Sequence, residues 1–179
     1  MFNSKARKIA YLGIMSALIF VLLLAETGLG SILPISPCYL SLPVAITLCV
    51  YGDYKNMFVG GTVFGVCSFI LAVIFPKFAA FLNPLISVLP RFFIGLAAYG
   101  FYILMKKCIK RDYICLGLAG VAGVLANTVL TLTMLLIFGK TTMETILTVI
   151  ISVNTSVELF CGAVIVPVLT KAVRKFILQ

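Results

Sequence analysis

Apolar residues form long runs along this chain, and short polar connections separate the runs. A run of about 20 apolar residues is long enough to cross a hydrocarbon core about 30 Å thick as an α-helix. The period-two alternation typical of an outer-membrane barrel is missing. The pattern therefore predicts an all-α integral membrane protein, a six-transmembrane-helix bundle folded as one domain over residues 1–179. The predicted spans are about 9–29, 40–51, 57–75, 84–105, 114–138 and 146–170.

An irregular segment precedes the second predicted span, which is the shortest. This segment, GLGSILPISPCYLSLP, covers residues 28–43 and contains Pro34, Pro37 and Pro43, which argue against continuous helix. Unpaired backbone groups are costly in lipid, so such a segment has to pack on protein or line a cavity. We expect it to form a capping loop between helices 1 and 2, over the outer end of the bundle.

Composition strengthens the membrane assignment. Of 179 residues, 63% are hydrophobic and 11% are charged, and the mean hydropathy is +1.23, well outside the range of soluble domains. A basic start followed by an apolar run is also the signature of a signal peptide. The run from Ile9 to about Leu29 is long for a signal peptide, and no clear cleavage site follows it. We therefore expect a retained first helix.

The basic residues lie mostly in alternate connections between the spans. Cytoplasmic connections of membrane proteins carry an excess of Lys and Arg, so this distribution predicts that both termini are cytoplasmic. The net charge of +9 is then mainly a topology signal, and we expect no nucleic-acid partner. The eleven basic residues on the predicted cytoplasmic side are Lys5, Arg7, Lys8, Lys55, Lys106, Lys107, Lys110, Arg111, Lys171, Arg174 and Lys175, whereas the other side has Lys77 and Lys140.

Metal, cofactor and nucleotide motifs are missing from the sequence. The six cysteines show no CxxC spacing and the chain has no histidine, so neither a metal site nor a cysteine-histidine catalytic pair is expected. The chain also lacks a P-loop. We predict a protein that is not an enzyme and has no cofactor, and any transport would draw energy from an ion gradient or from another polypeptide.

Polar side chains inside the predicted spans reach similar depths. Asn83 before a proline predicts the start of a helix, and Arg91 follows eight residues later, roughly 12 Å below the outer end. The same arithmetic places Asn127, Asn154 and Glu158 roughly 16, 14 and 20 Å deep. Such residues are costly in a membrane and usually face the interior of the bundle. We therefore treat all five as candidate ligand-binding residues.

The spacing of these residues allows three helices to face one cavity. Asn154 and Glu158 are four residues apart and share a helix face. Asn83, Ser87 and Arg91 likewise share one face, as do Asn127 and Thr131. Because the predicted cytoplasmic half of the bundle is nearly all apolar, a blind pocket that opens outward fits better than a pore. The alternative is that Arg91 pairs with Glu158 and the asparagines only bridge helices.

Gly13 and Ala17 on the first helix form a small-xxx-small pattern. Such spacing lets another helix approach closely. It fits either docking of a partner protein or packing within the protein's own bundle, and the pattern alone does not decide between them.

Several segments together resemble the substrate-binding S components of energy-coupling-factor (ECF) transporters, which capture vitamins in prokaryotes. The resemblance covers nearly the whole chain. Within the family, the chain is similar to the branch that includes pantothenate, pyridoxine-related and cobalamin S components. The order and spacing of the segments carry the resemblance. These are RKIAYLGIMSAL, LPVAITLCVYGDYKNMFVGGTVFGVCSFI, NPLISVLPRFFIGL, GVLANTVLTL and NTSVELFCGAVIVP.

The resemblance implies specific partners and a location in the prokaryotic cell membrane. It implies a transmembrane T component that docks at Gly13 and Ala17, together with two ATPase subunits. It also implies ligand binding in the outer half, on helices four to six and under the first loop. The chain has no Trp, so stacking on a flat ring of a ligand would come from Tyr39, Phe81 or other Phe and Tyr side chains. Arg91 suits a carboxylate of the ligand and Glu158 suits a hydroxyl or an amine, as in a polar molecule such as pantothenate. The alternative function is a stand-alone, ion-coupled secondary carrier of a small metabolite.

Overall fold

The computed structural model describes residues 5–32, 38–51, 56–144 and 153–178, and all regular structure in these ranges is helical. We number the described helices in chain order. A 3-10 turn at Pro76–Phe81 precedes α4. The helices are α1 (Lys5–Ile32), α2 (Ser41–Val50), α3 (Asn56–Ile74), α4 (Pro84–Ser87), α5 (Leu89–Cys108), α6 (Asp112–Ile137) and α7 (Val153–Leu178).

The predicted helical membrane bundle is confirmed. Five segments of the described chain are long and apolar enough to cross a membrane: Lys8–Leu29, Asn56–Ile74, Pro84–Cys108, Asp112–Ile137 and Val153–Lys175. The last helix continues to Leu178, past the predicted limit at 170. The predicted start of that span at 146 and the centre of the predicted capping loop, residues 33–37, lie outside the described residues.

The second predicted span is a short helix enclosed by protein. With 10 residues, α2 is about 15 Å long, which is less than the hydrocarbon thickness. All ten of its residues are buried, and it contacts α1, α3, α5, α6 and α7. A helix that is apolar on every face is expected at the centre of a bundle. The sequence could not distinguish this arrangement from a lipid-exposed crossing, because both require continuous apolar residues.

Glycines let the helices around α2 approach at backbone distance. A Cβ atom added to Gly95 on α5 would lie 1.7 Å from the carbonyl oxygen of Met57 on α3. A Cβ added to Gly120 on α6 would lie 2.1 Å from the carbonyl oxygen of Gly162 on α7. Any larger residue would force these helices apart. Small residues at helix contacts are typical of membrane bundles, where close van der Waals packing replaces the hydrophobic effect.

A polar network joins α5, α6 and α7 at one end of the bundle. Asp112 accepts hydrogen bonds from the Tyr102 hydroxyl at 2.8 Å and from the Arg174 guanidinium. Arg174 also bonds the Tyr102 hydroxyl, at 3.2 Å. Lys106 lies 4.0 Å from the Asp112 carboxylate. This end, which we call the basic end, corresponds to the predicted cytoplasmic side.

Replacing Gly95 by Ala tests the backbone contact between α3 and α5. The added methyl group would overlap the Met57 carbonyl oxygen, so we expect the unfolding free energy to fall by about 2 kcal/mol or more. Gly100→Ala on the same helix is the matched control, because a Cβ there has no atom within 4 Å. Thermal unfolding in detergent measures both variants. Equal stability of the two would contradict the proposed packing constraint.

Candidate ligand-binding site

A cavity of about 360 Å³ lies at the end of the bundle opposite the basic end. Side chains from α1, α3, α5, α6 and α7 line it, together with Cys38 and two phenylalanines of the 3-10 turn, Phe78 and Phe81. Leucines such as Leu71 and Leu132 form much of the apolar wall. The polar part of the wall comprises Thr27, Ser68, Arg91, Asn127, Thr128, Thr131, Asn154, Thr155 and Glu158.

Four of the predicted ligand-binding residues line this one cavity. Arg91 comes from α5, Asn127 from α6, and Asn154 and Glu158 from α7. Arg91 and Glu158 are buried, with 5% and 7% of their surface exposed. The convergence expected from helix depths is therefore present in the structure. Direct contact of each residue with a ligand stays a prediction.

The Arg91 guanidinium is fixed by a break between α4 and α5. The fourth predicted span, 84–105, corresponds to Pro84–Cys108, and its regular helix is interrupted at Val88, which keeps helical backbone angles. Pro90 has no amide hydrogen and cannot bond the Ile86 carbonyl in helical fashion. The Nη1 atom of Arg91 donates to that carbonyl oxygen instead, at 2.8 Å. The proline thus creates the acceptor that orients the arginine.

The rest of the Arg91 side chain faces an aromatic ring and the cavity. Its guanidinium carbon lies 4.9 Å from the centre of the Phe81 ring, which is a cation-π geometry. Its Nε atom is buried and has no hydrogen-bond partner in the described part of the chain. The Ile86 carbonyl accepts from Nη1 and the Phe81 ring packs on the guanidinium, so the Nε–H remains available as a donor for an anion.

Helix α3 holds the backbone that carries Arg91. A Cβ added to Gly61 would lie 2.1 Å from the Arg91 carbonyl oxygen, and one added to Gly65 would lie 2.9 Å from the Val88 Cα. The Ser87 hydroxyl donates to the Gly65 carbonyl oxygen at 3.2 Å. The glycines on α3 therefore allow the helix break at Val88 to pack directly against it.

Helix α6 presents two unpaired polar atoms in the wall of the cavity. Asn127 and Thr131 are one turn apart and each is 7% exposed. Within the ranges that the structure describes, Oδ1 of Asn127 and Oγ1 of Thr131 have no hydrogen-bond partner. Leaving a buried polar atom unpaired costs about 1–3 kcal/mol. Such atoms at a cavity wall are positioned to bond a ligand.

Tyr39 reaches the cavity wall from the turn before α2. Its hydroxyl donates to Oδ1 of Asn154 at 2.7 Å. Cys38, the preceding residue, lines the cavity itself. Tyr39 thus contacts a cavity-lining residue on α7, and its contact with a ligand stays a prediction.

Asn83 lies outside the set of cavity-lining residues and has a local structural role. It is the N-cap of α4, and its Oδ1 accepts the amide hydrogen of Leu85 at 3.0 Å. The predicted helix start at this residue is confirmed. A role of Asn83 in ligand binding has no support from its position.

Gly13 and Ala17 are exposed on the outer face of α1. A Cβ added to Gly13 would have no atom within 4 Å, so this glycine is not used for packing within the described bundle. Ala6 and Ala10 continue the exposed small-residue face, which we call the α1 groove (Ala6, Ala10, Gly13 and Ala17). The groove is flanked by exposed Ile14 and Leu18.

Sequence reasoning missed Glu26, which has structural partners near the cavity. Its carboxylate accepts hydrogen bonds from the amides of Leu40 and Ser41 and from the Ser41 hydroxyl. The available signal was an acidic residue near the end of an apolar span, where such residues are costly. Ser68 and Thr155 were missed because hydroxyl groups are common in membrane helices and give no distinct signal.

Comparisons with known proteins add independent evidence. A family model described as "ECF transporter, substrate-specific component" matches residues 7–179. The pantothenic acid transporter PanT of Lactococcus lactis subsp. cremoris is 32% identical in an alignment of 196 positions that covers 95% of this chain and 97% of that protein.

Replacing Thr131 by Val tests the unpaired hydroxyl. The two side chains have nearly the same shape, and removal of an unpaired buried hydroxyl should raise the stability of the ligand-free protein by about 1 kcal/mol. Thr170→Val is the control, since that buried hydroxyl donates to the Val166 carbonyl oxygen at 2.7 Å and its loss should bring no gain. Thermal unfolding without ligand compares them. A loss of stability in Thr131→Val would mean that its hydroxyl is already paired.

Proposed function

Because this chain belongs to the ECF transporter family of substrate-specific components, we propose that its cavity binds pantothenate for uptake into the cell. It is a multi-pass membrane protein and a transport subunit. Family membership favours this function over a stand-alone secondary carrier. The similar PanT protein, whose name states pantothenic acid transport, supports the choice of ligand.

The buried guanidinium of Arg91 carries the argument for an anionic ligand. It faces the cavity with an unpaired Nε–H, and its contacts in the described chain carry no formal charge. A buried cation is costly unless it is paired, and a carboxylate can accept two parallel bonds from a guanidinium. Pantothenate has one carboxylate, and Arg91 is the one basic side chain among the described residues that line the cavity.

The remaining polar atoms match the other groups of pantothenate. Its two hydroxyls and its amide N–H are donors, and Asn127 and Thr131 present unpaired oxygen atoms one turn apart. Glu158 on the facing helix α7 adds an acceptor for a hydroxyl. A volume of about 360 Å³ lies within the range of small-molecule pockets, roughly 300–1,000 Å³.

Release of the ligand to the cytoplasm requires partner proteins in this proposal. The cavity lies at the end opposite the basic end, where Asp112, Arg174 and Tyr102 join three helices. The sequence contains no nucleotide-binding motif. We therefore assign energy supply to two ATPase subunits, which act through a transmembrane T component. The α1 groove is the proposed docking site for the T component, and the prokaryotic cytoplasmic membrane is the proposed location.

Arg91→Gln tests the charge match when two ligands are compared. Calorimetry on the purified subunit should show pantothenate affinity reduced about 10-fold or more, which corresponds to about 1.4 kcal/mol. The neutral alcohol analogue has CH2OH in place of the carboxylate, and its affinity should change by less than about 2-fold. Arg111→Gln, an exposed residue at the basic end, is the control and should bind as wild type.

Two results would contradict this assignment. An equal loss for both ligands would show that Arg91 supports the fold rather than the carboxylate. Wild-type protein that binds no pantothenate would reject the proposed ligand.

Gly13→Leu tests the α1 groove as the docking site of the T component. The larger side chain projects from the exposed face, so ligand binding by the isolated subunit should be unchanged. Assembly with the T component and ATP-dependent uptake in liposomes should fall at least about 10-fold, because close helix approach is blocked. Gly100→Leu is the control, since Gly100 is also exposed with open space around it. Normal uptake by Gly13→Leu would move the docking site elsewhere.

A further inference from the structure

The carboxylate of Glu26 on α1 caps a helix other than its own. Its Oε1 accepts the amide hydrogen of Leu40. Its Oε2 accepts the amide of Ser41 at 3.3 Å and the Ser41 hydroxyl at 2.5 Å. The first amides of a helix have no acceptor within that helix, and Leu40 at the N-cap offers no side-chain acceptor. Glu26 therefore supplies the N-terminal cap of α2, and a negative charge is favourable there.

The capped peptide unit also carries Tyr39. The amide of Leu40 belongs to the peptide bond that joins it to Tyr39, so the bond from Glu26 fixes the orientation of that unit. The Tyr39 hydroxyl in turn donates to Oδ1 of Asn154 at 2.7 Å. A continuous series of hydrogen-bonded groups thus runs from α1, through the turn before α2, to the cavity wall on α7.

In the structure, the oxygen of the Asn154 side-chain amide faces the Tyr39 hydroxyl. The Oδ1 atom accepts the tyrosine hydroxyl, and the two Nδ2–H donors lie at the opposite end of the amide. On α6, by contrast, Asn127 leaves its oxygen unpaired. The two asparagines of the cavity therefore differ. Oδ1 of Asn154 accepts a hydrogen bond from Tyr39, whereas Oδ1 of Asn127 has no partner among the described residues.

We infer that Glu26 is a positioning residue for the ligand site, which acts through Tyr39 to hold the amide of Asn154 in its binding orientation. This inference rests on the proposed function. Glu26 itself is absent from the cavity lining. Its effect on binding is therefore indirect and should depend on the Tyr39 hydroxyl.

A purely structural cap predicts a different result from a positioning residue. Removing a cap lowers stability whether or not Tyr39 keeps its hydroxyl. A positioning residue loses its effect on affinity once the Tyr39 hydroxyl is gone, so the two substitutions are not additive. A double-mutant cycle of Glu26→Gln and Tyr39→Phe separates these cases.

The binding experiment uses the purified subunit and pantothenate. Glu26→Gln and Tyr39→Phe should each weaken affinity about 5-fold or more, with faster dissociation, as expected for loss of one hydrogen bond in the series. The double variant should be no weaker than the weaker single variant. Glu144→Gln is the control, because it makes the same chemical change at an exposed site. Multiplied effects, or lower melting temperature with unchanged affinity in Glu26→Gln, would overturn the inference.

A measurement without ligand tests the role of Glu26 separately from the identity of the ligand. Cys38 precedes Tyr39 and lines the cavity, so its alkylation rate reports on the position of this turn. Site-resolved mass spectrometry with a water-soluble maleimide should show faster labelling of Cys38 in Glu26→Gln and in Tyr39→Phe, and no change in Glu144→Gln. An unchanged rate in Glu26→Gln would overturn the inference even if pantothenate binds. Absence of pantothenate binding by wild type would reject only the proposed ligand.

Discussion

Close contact between helix backbones is the constraint on which this structure depends. Lipid is as apolar as a leucine side chain, so burial of apolar surface does little to hold membrane helices together. Gly95 and Gly120 bring α5 against α3 and α7 against α6 at distances that exclude a side chain. Gly61 brings α3 against the Arg91 carbonyl in the same way. The contacts that stabilise the bundle therefore also position the cation of the cavity.

The polar groups of the cavity wall differ in whether the protein satisfies them. Arg91 is partly satisfied by the Ile86 carbonyl that Pro90 leaves unpaired, and Asn154 is bonded by Tyr39. Asn127 and Thr131 keep unpaired oxygen atoms. Arg91 and Asn154 are therefore preorganised by protein contacts, whereas Asn127 and Thr131 keep oxygen atoms that can still accept hydrogen bonds. A ligand that bonds these atoms would stabilise the fold as well as fill the cavity.

Much of the fold and of the candidate site could be predicted from residue type and helix geometry. Arg91, Asn127, Asn154 and Glu158 were found because polar residues in apolar runs are costly and the rise per residue is constant. The interruption at Val88 was missed although Pro90 lies inside the predicted span, where a proline removes one helical hydrogen bond. Glu26 was missed because its partners lie 14 and 15 residues away, beyond any local pattern. Enclosure of α2 depends on tertiary packing, which apolar periodicity does not encode.

The open groove on α1 has a consequence for the surrounding lipid. Gly13 and Ala17 leave a depression beside the exposed side chains of Ile14 and Leu18, and in a bilayer acyl chains fill such a depression. The proposed docking of the T component would then be an exchange reaction in which lipid chains leave the groove. The equilibrium constant of that exchange depends on the order and length of the acyl chains. The free energy of assembly therefore depends on membrane composition, because lipid molecules take part in the exchange as well as surrounding the bundle.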